Sequence, residues 1–358
     1  MNSNFLDITN EIISKSSHSD KFKKIDCVIL VTGAKCNFSC NYCFINSCKY
    51  ESNPKLINFE SLAQALSIFK IKDSLAISIW AGEPLYNKKE LINLCNFINK
   101  ELPQAKISIN TNGSLLNDWW ADFFNDHKIY INVSHDGPGQ KYRGFDFLES
   151  DSHVRALQKI QAYGKLNTVN TVIHKYNSSF EELYNFFMKM QDRTGINPTD
   201  YNFTFVLPDL NGHITYGFDS MDSALIEYIY KNIAFLLKNG LNQNYNNIFP
   251  GMHQEILGFL KRMIFKKYKV CTPEAFMLDS CGRKVCTRSF FNKEKDFSIR
   301  ENHLNRCSTC EKNILCPLAS CQAIAISDET CNKIKNEILV IESILNNILE
   351  NYETLYKI

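Results

Sequence analysis

Residues 35–44 of this 358-residue chain read KCNFSCNYCF and place three cysteines at a Cys-x3-Cys-x2-Cys spacing. The stretch directly follows an apolar, strand-like run at residues 27–31. A structural zinc ion takes four protein ligands, usually as two separated pairs, so three thiols on one tight loop make an incomplete zinc site. They suit a cuboidal iron-sulfur cluster better, because its fourth iron then stays open for a small molecule. We therefore expect Cys36, Cys40 and Cys43 to hold a reactive cluster.

The overall composition excludes several classes of partner. The formal net charge of +2 gives no electrostatic reason to expect nucleic acid or an anionic membrane surface. Residues 1–20 lack the apolar core of a signal peptide, and no run approaches the length of a membrane span. The sequence therefore predicts a cytoplasmic protein without a nucleic-acid or membrane partner.

The fourteen cysteines are unevenly distributed. Five lie between Cys27 and Cys48, one stands alone at Cys95, and eight lie between Cys271 and Cys331. Disulfides are rare in a reducing cytoplasm, so metal binding or catalysis explains this number better. The simplest interpretation is two metal-bearing regions that are far apart in the sequence.

Short β-rich runs alternate with amphipathic helical patterns from Cys27 onward. The apolar spacing predicts strands at 27–31, 75–80, 106–111, 129–134, 168–173 and 202–207, and helices at 58–69, 88–99, 119–124, 154–163 and 180–190. Such alternation predicts right-handed βα units around a parallel sheet, with the active site at the carboxyl ends of the strands. Six units predict an α/β fold, a partial (β/α)6 TIM-like barrel.

The cysteine loop carries an aromatic residue on each side of its third cysteine, Tyr42 and Phe44. With the cysteine spacing, this resembles the signature of the radical S-adenosylmethionine (SAM) enzymes. The resemblance implies a 4Fe-4S cluster on Cys36, Cys40 and Cys43, whose open iron is chelated by the amino and carboxylate groups of the cofactor. It also implies that Phe44 contacts the cofactor.

Loops after the next predicted strands carry further motifs of that family. After the second strand, Ala81-Gly82-Glu83-Pro84 resembles the family's Gly-Gly-Glu-Pro motif, with alanine in place of the first glycine. The glycine would let the backbone approach a ligand closely, and Glu83 would offer its carboxylate to the ammonium group of methionine. Gly82 and Glu83 are therefore predicted to bind the cofactor.

The third and fourth strands are followed by polar turns at the same end of the barrel. The third ends in a Thr-Asn-Gly turn that includes Asn112, and the fourth in Ser134-His135-Asp136-Gly137-Pro138, similar to a Ser-x-Asp-Gly-Pro segment of peptide-modifying members. The resemblance implies that Asn112, Ser134 and Asp136 bind the cofactor and that Arg143 pairs with its carboxylate. The family's arginine follows at a longer spacing. Each motif alone is a common turn, so their order at successive strand ends carries the interpretation.

The second cysteine region contains Cys271, Cys281, Cys286, Cys307, Cys310, Cys316, Cys321 and Cys331. Two pairs of these thiols would also make a closed zinc site, but seven or eight ligands suit two four-iron clusters. The order resembles the SPASM extension of radical SAM enzymes, with two departures, at the spacings from Gly282 to Cys286 and from Cys316 to Cys321. The resemblance implies a nearer auxiliary cluster on Cys271, Cys286 and Cys321, and an outer one on Cys307, Cys310, Cys316 and Cys331. Cys281 either completes the nearer cluster or leaves it an open iron.

These patterns predict four segments along the chain. Residues 1–24 form an N-terminal arm, 25–210 the partial barrel, 211–265 a helical bridge, and 266–358 a small cysteine-rich C-terminal iron-sulfur domain with a closing helix. The basic residues between 261 and 269 are interpreted as a solvated helix face.

The resemblance implies a maturase that abstracts hydrogen from a ribosomally made precursor peptide and forms a thioether, carbon-carbon or cyclophane cross-link, or a related oxidation. It also implies an external one-electron donor such as flavodoxin or ferredoxin. One alternative is an anaerobic sulfatase-maturing enzyme that makes formylglycine, but that subgroup has an aspartate directly after its second extension cysteine, where this chain has Thr287. An alternative from another class is a non-enzymatic zinc or electron-transfer protein.

Overall fold

A computed structural model describes residues 27–33, 35–43, 57–69, 74–174, 176–177, 179–196, 201–205 and 275–279, and five helical positions between 331 and 343. Within these residues, seven parallel strands form one sheet in the order β6-β5-β4-β3-β2-β1-β7. The strands are β1 Cys27–Val31, β2 Leu75–Trp80, β3 Ala105–Thr111, β4 Tyr130–Ser134, β5 Leu166–Ile173, β6 Tyr201–Phe205 and β7 Ala275–Asp279.

Five helices connect the first six strands in turn: α1 Phe59–Leu66, α2 Lys88–Glu101, α3 Asp118–Asp126, α4 Asp151–Ala162 and α5 Phe180–Thr194. Short 3-10 turns occur at Ser67–Phe69, Pro84–Tyr86, Gly137–Tyr142 and Phe147–Glu149. From β1 to β6 the spatial order follows the chain order without reversal. Right-handed crossovers of this kind place every helix on the same face of the sheet, as in a barrel.

The face of the sheet that packs on the helices carries the hydrophobic core. Strands β2 and β3 alternate buried isoleucines with less buried residues, and Ile77, Ile79, Ile107 and Ile109 are all almost fully buried. Alternation at period two directs these side chains to one face. The helices meet them with buried residues such as Leu94 of α2.

The opposite, inner face of the sheet is polar. The side-chain amide of Asn110 in β3 donates to the hydroxyl of Ser78 in β2 at 2.9 Å. Asn132 of β4 is buried and accepts a hydrogen bond from the side-chain amide of Asn167 at 2.7 Å. Asn167 is the extra residue of a register shift between β4 and β5, since Ile131 pairs with Leu166 and Asn132 pairs with Thr168. This hydrogen-bonded inner face differs from the packed apolar interior of a closed TIM barrel.

Local sequence signals fix where the helices begin. Four helices have a side-chain cap, in which an oxygen accepts a hydrogen bond from a backbone N–H of the first turn. The capping residues are Asn58, Asn87, Asn117 and Ser179. Helix α5 ends at Thr194 and is capped by Gly195, whose φ of 74° suits the left-handed position after a helix. These caps mark the starts of α1, α2, α3 and α5, each of which begins within one residue of its predicted start.

The predicted α/β class and the series of six parallel strands are confirmed. The seventh strand was not predicted: Ala275–Asp279 pairs in parallel with β1, from Cys27 opposite Ala275 to Val31 opposite Asp279. It lies inside the predicted C-terminal domain, whose bounds remain a prediction. The N-terminal arm at 1–24 and the helical bridge at 211–265 lie outside the described residues. In the described part of the chain no helix is long and apolar enough to cross a membrane.

Candidate active site

The cysteine loop, residues 32–43, leaves the carboxyl end of β1 and turns tightly. The backbone N–H of Thr32 still donates to the carbonyl of Trp80 in β2 at 3.1 Å, and that of Cys43 donates to the carbonyl of Cys40 at 3.0 Å. The N–H of Phe38 lies 3.4 Å from Sγ of Cys36. Cys36, Cys40 and Cys43 are all half-buried free thiols.

Burial and the neighbouring charges both act on these thiols. Burial raises the pKa of the Cys36 thiol, with smaller contributions from the Phe38 N–H, Glu83 and Cys43. Burial also raises the pKa of Cys40 to about 12, while the positive charge of Arg143 opposes this rise. Cys40 interacts electrostatically with both Cys43 and Cys36, so the three sulfurs share one local environment. Deprotonating them together therefore calls for a positively charged partner such as iron.

The arrangement of the thiols fits a cluster better than a single ion. Among the residues that the structure describes, no three His, Cys, Asp or Glu side chains form a group that would hold one metal ion. In a four-iron cluster each cysteine binds a different iron, so its ligands need not converge on one point. Three neighbouring thiols on one loop thus have the donor chemistry for a cluster with an open iron.

The loop after β2 contacts the cysteine loop through its backbone. The N–H of Glu83 donates to the carbonyl of Lys35 at 2.8 Å. Ala81 and Gly82 precede it with φ of 85° and 58°. Gly82 tolerates this left-handed backbone, whereas Ala81 pays a steric penalty, because its Cβ crowds the backbone. Alanine replaces the first glycine of the family motif here, and the left-handed φ shows why glycine would suit the position.

The carboxylate of Glu83 is buried and already accepts three hydrogen bonds. They come from the Thr111 hydroxyl at 2.7 Å, the backbone N–H of Asn112 at 2.6 Å and the backbone N–H of Leu85 at 3.0 Å. Burial raises the pKa of Glu83, and these hydrogen bonds oppose that rise. The side chain thus joins the β2 loop to the end of β3. Its predicted contact with the cofactor's ammonium group remains a prediction.

Asn112, at the end of β3, contacts the first cysteine. Its side-chain amide nitrogen donates to the side-chain oxygen of Asn37 at 2.9 Å and lies 3.8 Å from Sγ of Cys36. Its side-chain oxygen accepts a hydrogen bond from the hydroxyl of Ser114 at 2.6 Å. Asn112 therefore bridges the β3 loop and the cysteine loop. Asn37, on the cysteine loop, was not singled out from the sequence.

The loop after β4 reaches the same cysteines from the other side. Ser134 is half-buried at the end of β4, whereas the carboxylate of Asp136 is fully buried. Asp136 accepts hydrogen bonds from the backbone N–H of Val172 at 3.0 Å and from the hydroxyl of Tyr42. Its carboxylate is therefore engaged inside the protein. The predicted contacts of Ser134 and Asp136 with the cofactor remain predictions.

Arg143 completes this group. Its Nη1 donates to the Tyr42 hydroxyl at 3.0 Å and lies 3.5 Å from Oδ1 of Asp136. Its Nε is buried and has no hydrogen-bond partner among the described residues. A carboxylate of a bound cofactor would satisfy that donor, so this orphaned atom fits the predicted role of Arg143. Tyr42, placed between the second and third cysteines, has no contact predicted from the sequence, although its hydroxyl joins Arg143 to Asp136.

Other predicted site residues lie outside the described part of the chain. These are Phe44 and the cysteines Cys271, Cys281, Cys286, Cys307, Cys310, Cys316 and Cys321. Of the cysteines in the second region the structure describes only Cys331, which is half-buried and helical. The auxiliary-cluster ligands therefore remain predictions.

Comparisons with known proteins agree on one family. The profile of the Radical SAM superfamily matches residues 30–187. The chain is 26% identical over 184 residues to the serine-type anaerobic sulfatase-maturating enzyme of Bacteroides thetaiotaomicron, covering 47% of this chain and 44% of that protein. It is 24% identical over 193 residues to the radical SAM cyclopropyl synthase TigE of Paramaledivibacter caminithermalis, covering 46% of this chain and 40% of that protein. The chain thus spans about half the length of the curated relatives it matches.

Solved structures with a similar fold include anSMEcpe with bound AdoMet and a peptide, at a TM-score of 0.59 and 19% identity, covering 91% of this chain and 99% of that chain. Another is Streptococcus suis SuiB bound to the precursor peptide SuiA, at a TM-score of 0.51 and 14% identity, covering 83% of this chain and 67% of that chain. At these identities the likeness concerns the fold.

Proposed function

Because the chain is an enzyme of the radical SAM superfamily, whose profile covers residues 30–187, we propose that Cys36, Cys40 and Cys43 hold its 4Fe-4S cluster. When bound at such a cluster, SAM supplies a deoxyadenosyl radical that abstracts hydrogen from a substrate. The family membership sets aside the alternative of a non-enzymatic zinc or electron-transfer protein.

The observation that carries this proposal is the meeting of three barrel loops on the cysteine loop. Glu83 binds the carbonyl of Lys35, Asn112 binds Asn37, and Arg143 binds Tyr42. These contacts bring polar groups from the ends of β2, β3 and β4 to the loop that carries the three thiols. A TIM-like barrel places its active site at this end of the strands.

The same loops supply the groups that we propose for SAM binding. Arg143 offers its unpartnered Nε to the cofactor's carboxylate, and Gly82 allows the backbone to approach it closely. Asn112 orients the first cysteine, and Ser134 offers a half-buried hydroxyl at the end of β4. Phe44, Glu83 and Asp136 complete the proposed set from the family motifs.

We further propose that the substrate is a ribosomally made precursor peptide. TigE is named a radical SAM cyclopropyl synthase, and the SuiB structure contains a precursor peptide, so two similar proteins support peptide or cross-link chemistry. The reaction would form a thioether, carbon-carbon or cyclophane link, or a related oxidation. An external one-electron donor such as flavodoxin or ferredoxin would supply the electron that reduces the cluster.

Two auxiliary clusters belong to the proposal. Cys271, Cys286 and Cys321 would hold the nearer one, and Cys307, Cys310, Cys316 and Cys331 the outer one. Cys281 either completes the nearer cluster or leaves it an open iron. Seven or eight thiols in this region match the ligand count of two four-iron clusters. The predicted segments, with a barrel at 25–210 and a cluster domain at 266–358, follow from this assignment.

Formylglycine formation is the second candidate. It is favoured by the similarity to the sulfatase-maturating enzymes of Bacteroides thetaiotaomicron and Clostridium novyi. Thr287, in the position where that subgroup carries an aspartate, favours the peptide cross-link instead.

Mass spectrometry of co-expressed candidate peptides tests the proposed function. A precursor peptide encoded beside this protein should change mass by loss of hydrogens, whereas a sulfatase peptide should stay unchanged. The Cys316→Ala variant should retain cleavage of SAM and lose the peptide product. Formylglycine in the sulfatase peptide would instead establish the second candidate. Full peptide product from Cys316→Ala would remove the outer cluster from the mechanism.

A further inference from the structure

A buried pair of opposite charges lies directly beside the cysteine loop. The carboxylate of Asp136 has no exposed surface, and the side chain of Arg143 is only 13% exposed. Their charged groups approach to 3.5 Å, and both bind the hydroxyl of Tyr42. Because Tyr42 stands between Cys40 and Cys43, the charge pair is attached to the segment that carries two of the three thiols.

Two further contacts fix the distance between this pair and the thiols. The backbone N–H of Asn41 donates to the carbonyl of Tyr142 at 3.3 Å. At Gly144, an added Cβ would lie 2.9 Å from the ring of Phe38, so the backbone there is packed directly against the cysteine loop. The segment that carries Asp136 and Arg143 is thus held to the loop at separate points. The two charges therefore have a defined position relative to the cysteines.

His174 lies beside Asp136 and Tyr42 and adds no charge to this group. Its ring lies 5.2 Å from that of Tyr42, and its Nε2 is 3.9 Å from Oδ2 of Asp136. Its Nδ1 accepts the N–H of Tyr176 at 3.2 Å, which assigns the proton of the neutral ring to Nε2. Burial lowers the pKa of His174, and Asp136 opposes this, so the imidazole stays neutral near pH 7. Arg143 is then the cation that faces Asp136.

We propose that the charges of Arg143 and Asp136 tune, in opposite directions, the reduction potential of the cluster on Cys36, Cys40 and Cys43. This inference rests on the proposed function. Net charge, burial and hydrogen bonding around the sulfurs set the potential of an iron-sulfur cluster. Both charged groups bind the hydroxyl of Tyr42, which stands between the proposed ligands Cys40 and Cys43.

The direction of each effect follows from the charge balance. Reduction moves one electron from an external donor to the cluster, which passes from the 2+ to the 1+ state, and the donor is oxidised by one electron. The reduced state is more negative, so the nearby guanidinium stabilises it and the nearby carboxylate destabilises it. Removing Arg143 should therefore make the potential more negative, and removing the charge of Asp136 should make it less negative.

An EPR-monitored redox titration of the anaerobically reconstituted full-length protein tests this inference, with dithionite as reductant and without SAM. The relevant signal is the one that shifts when SAM is added and that is missing in Cys40→Ala. We expect a more negative midpoint for Arg143→Gln, a less negative one for Asp136→Asn, and a midpoint between them for the double variant. Arg143→Lys keeps the charge and should stay nearer to the unmodified protein than Arg143→Gln.

The ion pair of Arg193 and Asp151 provides a matched control. Nη2 of Arg193 and Oδ1 of Asp151 lie 2.7 Å apart, and these side chains, on helices α5 and α4, are 37% and 88% exposed. Arg193→Gln and Asp151→Asn change the charge by the same amounts and should leave the midpoint unchanged, because water screens exposed charges.

The outcomes separate this inference from the proposed function. Midpoints that move in the same direction in Arg143→Gln and Asp136→Asn, or that do not move, overturn the inference while leaving the cluster assignment intact. If Arg143→Gln does not assemble the cluster, the test uses Asp136→Asn and Arg143→Lys instead. An unchanged or more negative midpoint in Asp136→Asn then contradicts the inference. If the unmodified protein shows no EPR signal that responds to SAM, both the proposed function and this inference are contradicted.

Discussion

The carboxylate of Glu83 accepts a hydrogen bond from the backbone N–H of Asn112 at 2.6 Å, which joins the loops that follow β2 and β3. The same loops contact the cysteine loop at Lys35 and Asn37. This buried carboxylate therefore holds together the loops that contact the cysteine loop. Its removal should affect stability before any cofactor is considered.

We expect Glu83→Gln to lower the free energy of unfolding by about 1–3 kcal/mol, because an amide cannot accept at both of its ends. One of the donors from Thr111, Asn112 or Leu85 would then face an NH2 group and lose its partner. Urea unfolding of the protein without cofactor measures the change. Glu149→Gln, on an exposed side chain, is the control and should have a much smaller effect. Equal effects in the two variants would contradict this role of Glu83.

Ala81→Gly should stabilise the protein. Ala81 has a φ of 85°, and relieving a left-handed backbone at a residue with a Cβ gains about 1 kcal/mol. The matched control is Ala121→Gly, in the middle of helix α3, which should destabilise the protein by about 1 kcal/mol or more, because glycine disfavours a helix. Urea unfolding distinguishes the two signs. A loss of stability in Ala81→Gly similar to that of the control would show that Ala81 is not strained.

Tyr42→Phe keeps the aromatic ring and removes the hydroxyl that Asp136 and Arg143 share. We expect the free energy of unfolding to fall by about 1–3 kcal/mol, because a buried carboxylate and a guanidinium each lose a partner. Tyr163→Phe is the control, since its hydroxyl also donates to an aspartate, Asp122 at 3.0 Å, but on the exposed surface. A drop in Tyr42→Phe no larger than that of the control would argue against the buried group.

Asp146→Asn tests a pH-dependent contribution to stability. Burial raises the pKa of Asp146, but the hydrogen bond of His135 at 2.9 Å, the backbone N–H of Leu148 and the attraction of His135 and Arg193 together outweigh it, so the pKa lies below its ordinary value. A lowered carboxylate pKa stabilises the fold above the ordinary value, and this stabilisation is lost as the pH falls through the folded-state pKa. Asparagine keeps an oxygen for the N–H of Leu148.

The unmodified protein should therefore be more stable than Asp146→Asn near neutral pH, and the difference should shrink as the pH falls below about 4. Urea unfolding at a series of pH values measures it. A difference that is constant with pH, or that grows on acidification, would show that the ionised carboxylate does not stabilise this loop.

The sequence predicted most of the fold because its strands and helices carry local signals. β1 and β2 begin and end where the apolar runs predicted, and side-chain caps such as Asn87 mark the helix starts. Strand β7 was missed, because its pairing with β1 depends on contacts between segments far apart in the chain. Nothing local in residues 275–279 distinguishes a barrel strand from part of a cysteine-rich domain.

The candidate site was predicted in part. The motifs identified the loops that meet at the cysteines, because parallel strands bring their carboxyl ends to one edge. They did not identify which way each side chain turns. The carboxylate of Asp136, for example, is buried against Tyr42 and Val172, and its predicted contact with the cofactor stays a prediction. Side-chain direction after the end of a strand depends on tertiary packing, which the sequence pattern does not contain.

Cleavage of SAM by the Cys40→Ala variant, compared with Cys27→Ala, tests the central claim most directly. Both cysteines are half-buried, but Cys27 lies in β1 and outside the proposed ligand set. After anaerobic reconstitution with a reductant, the unmodified protein and Cys27→Ala should produce deoxyadenosine, and Cys40→Ala should produce none while also binding less iron. Undiminished deoxyadenosine from Cys40→Ala would contradict the assignment of the radical cluster to this loop.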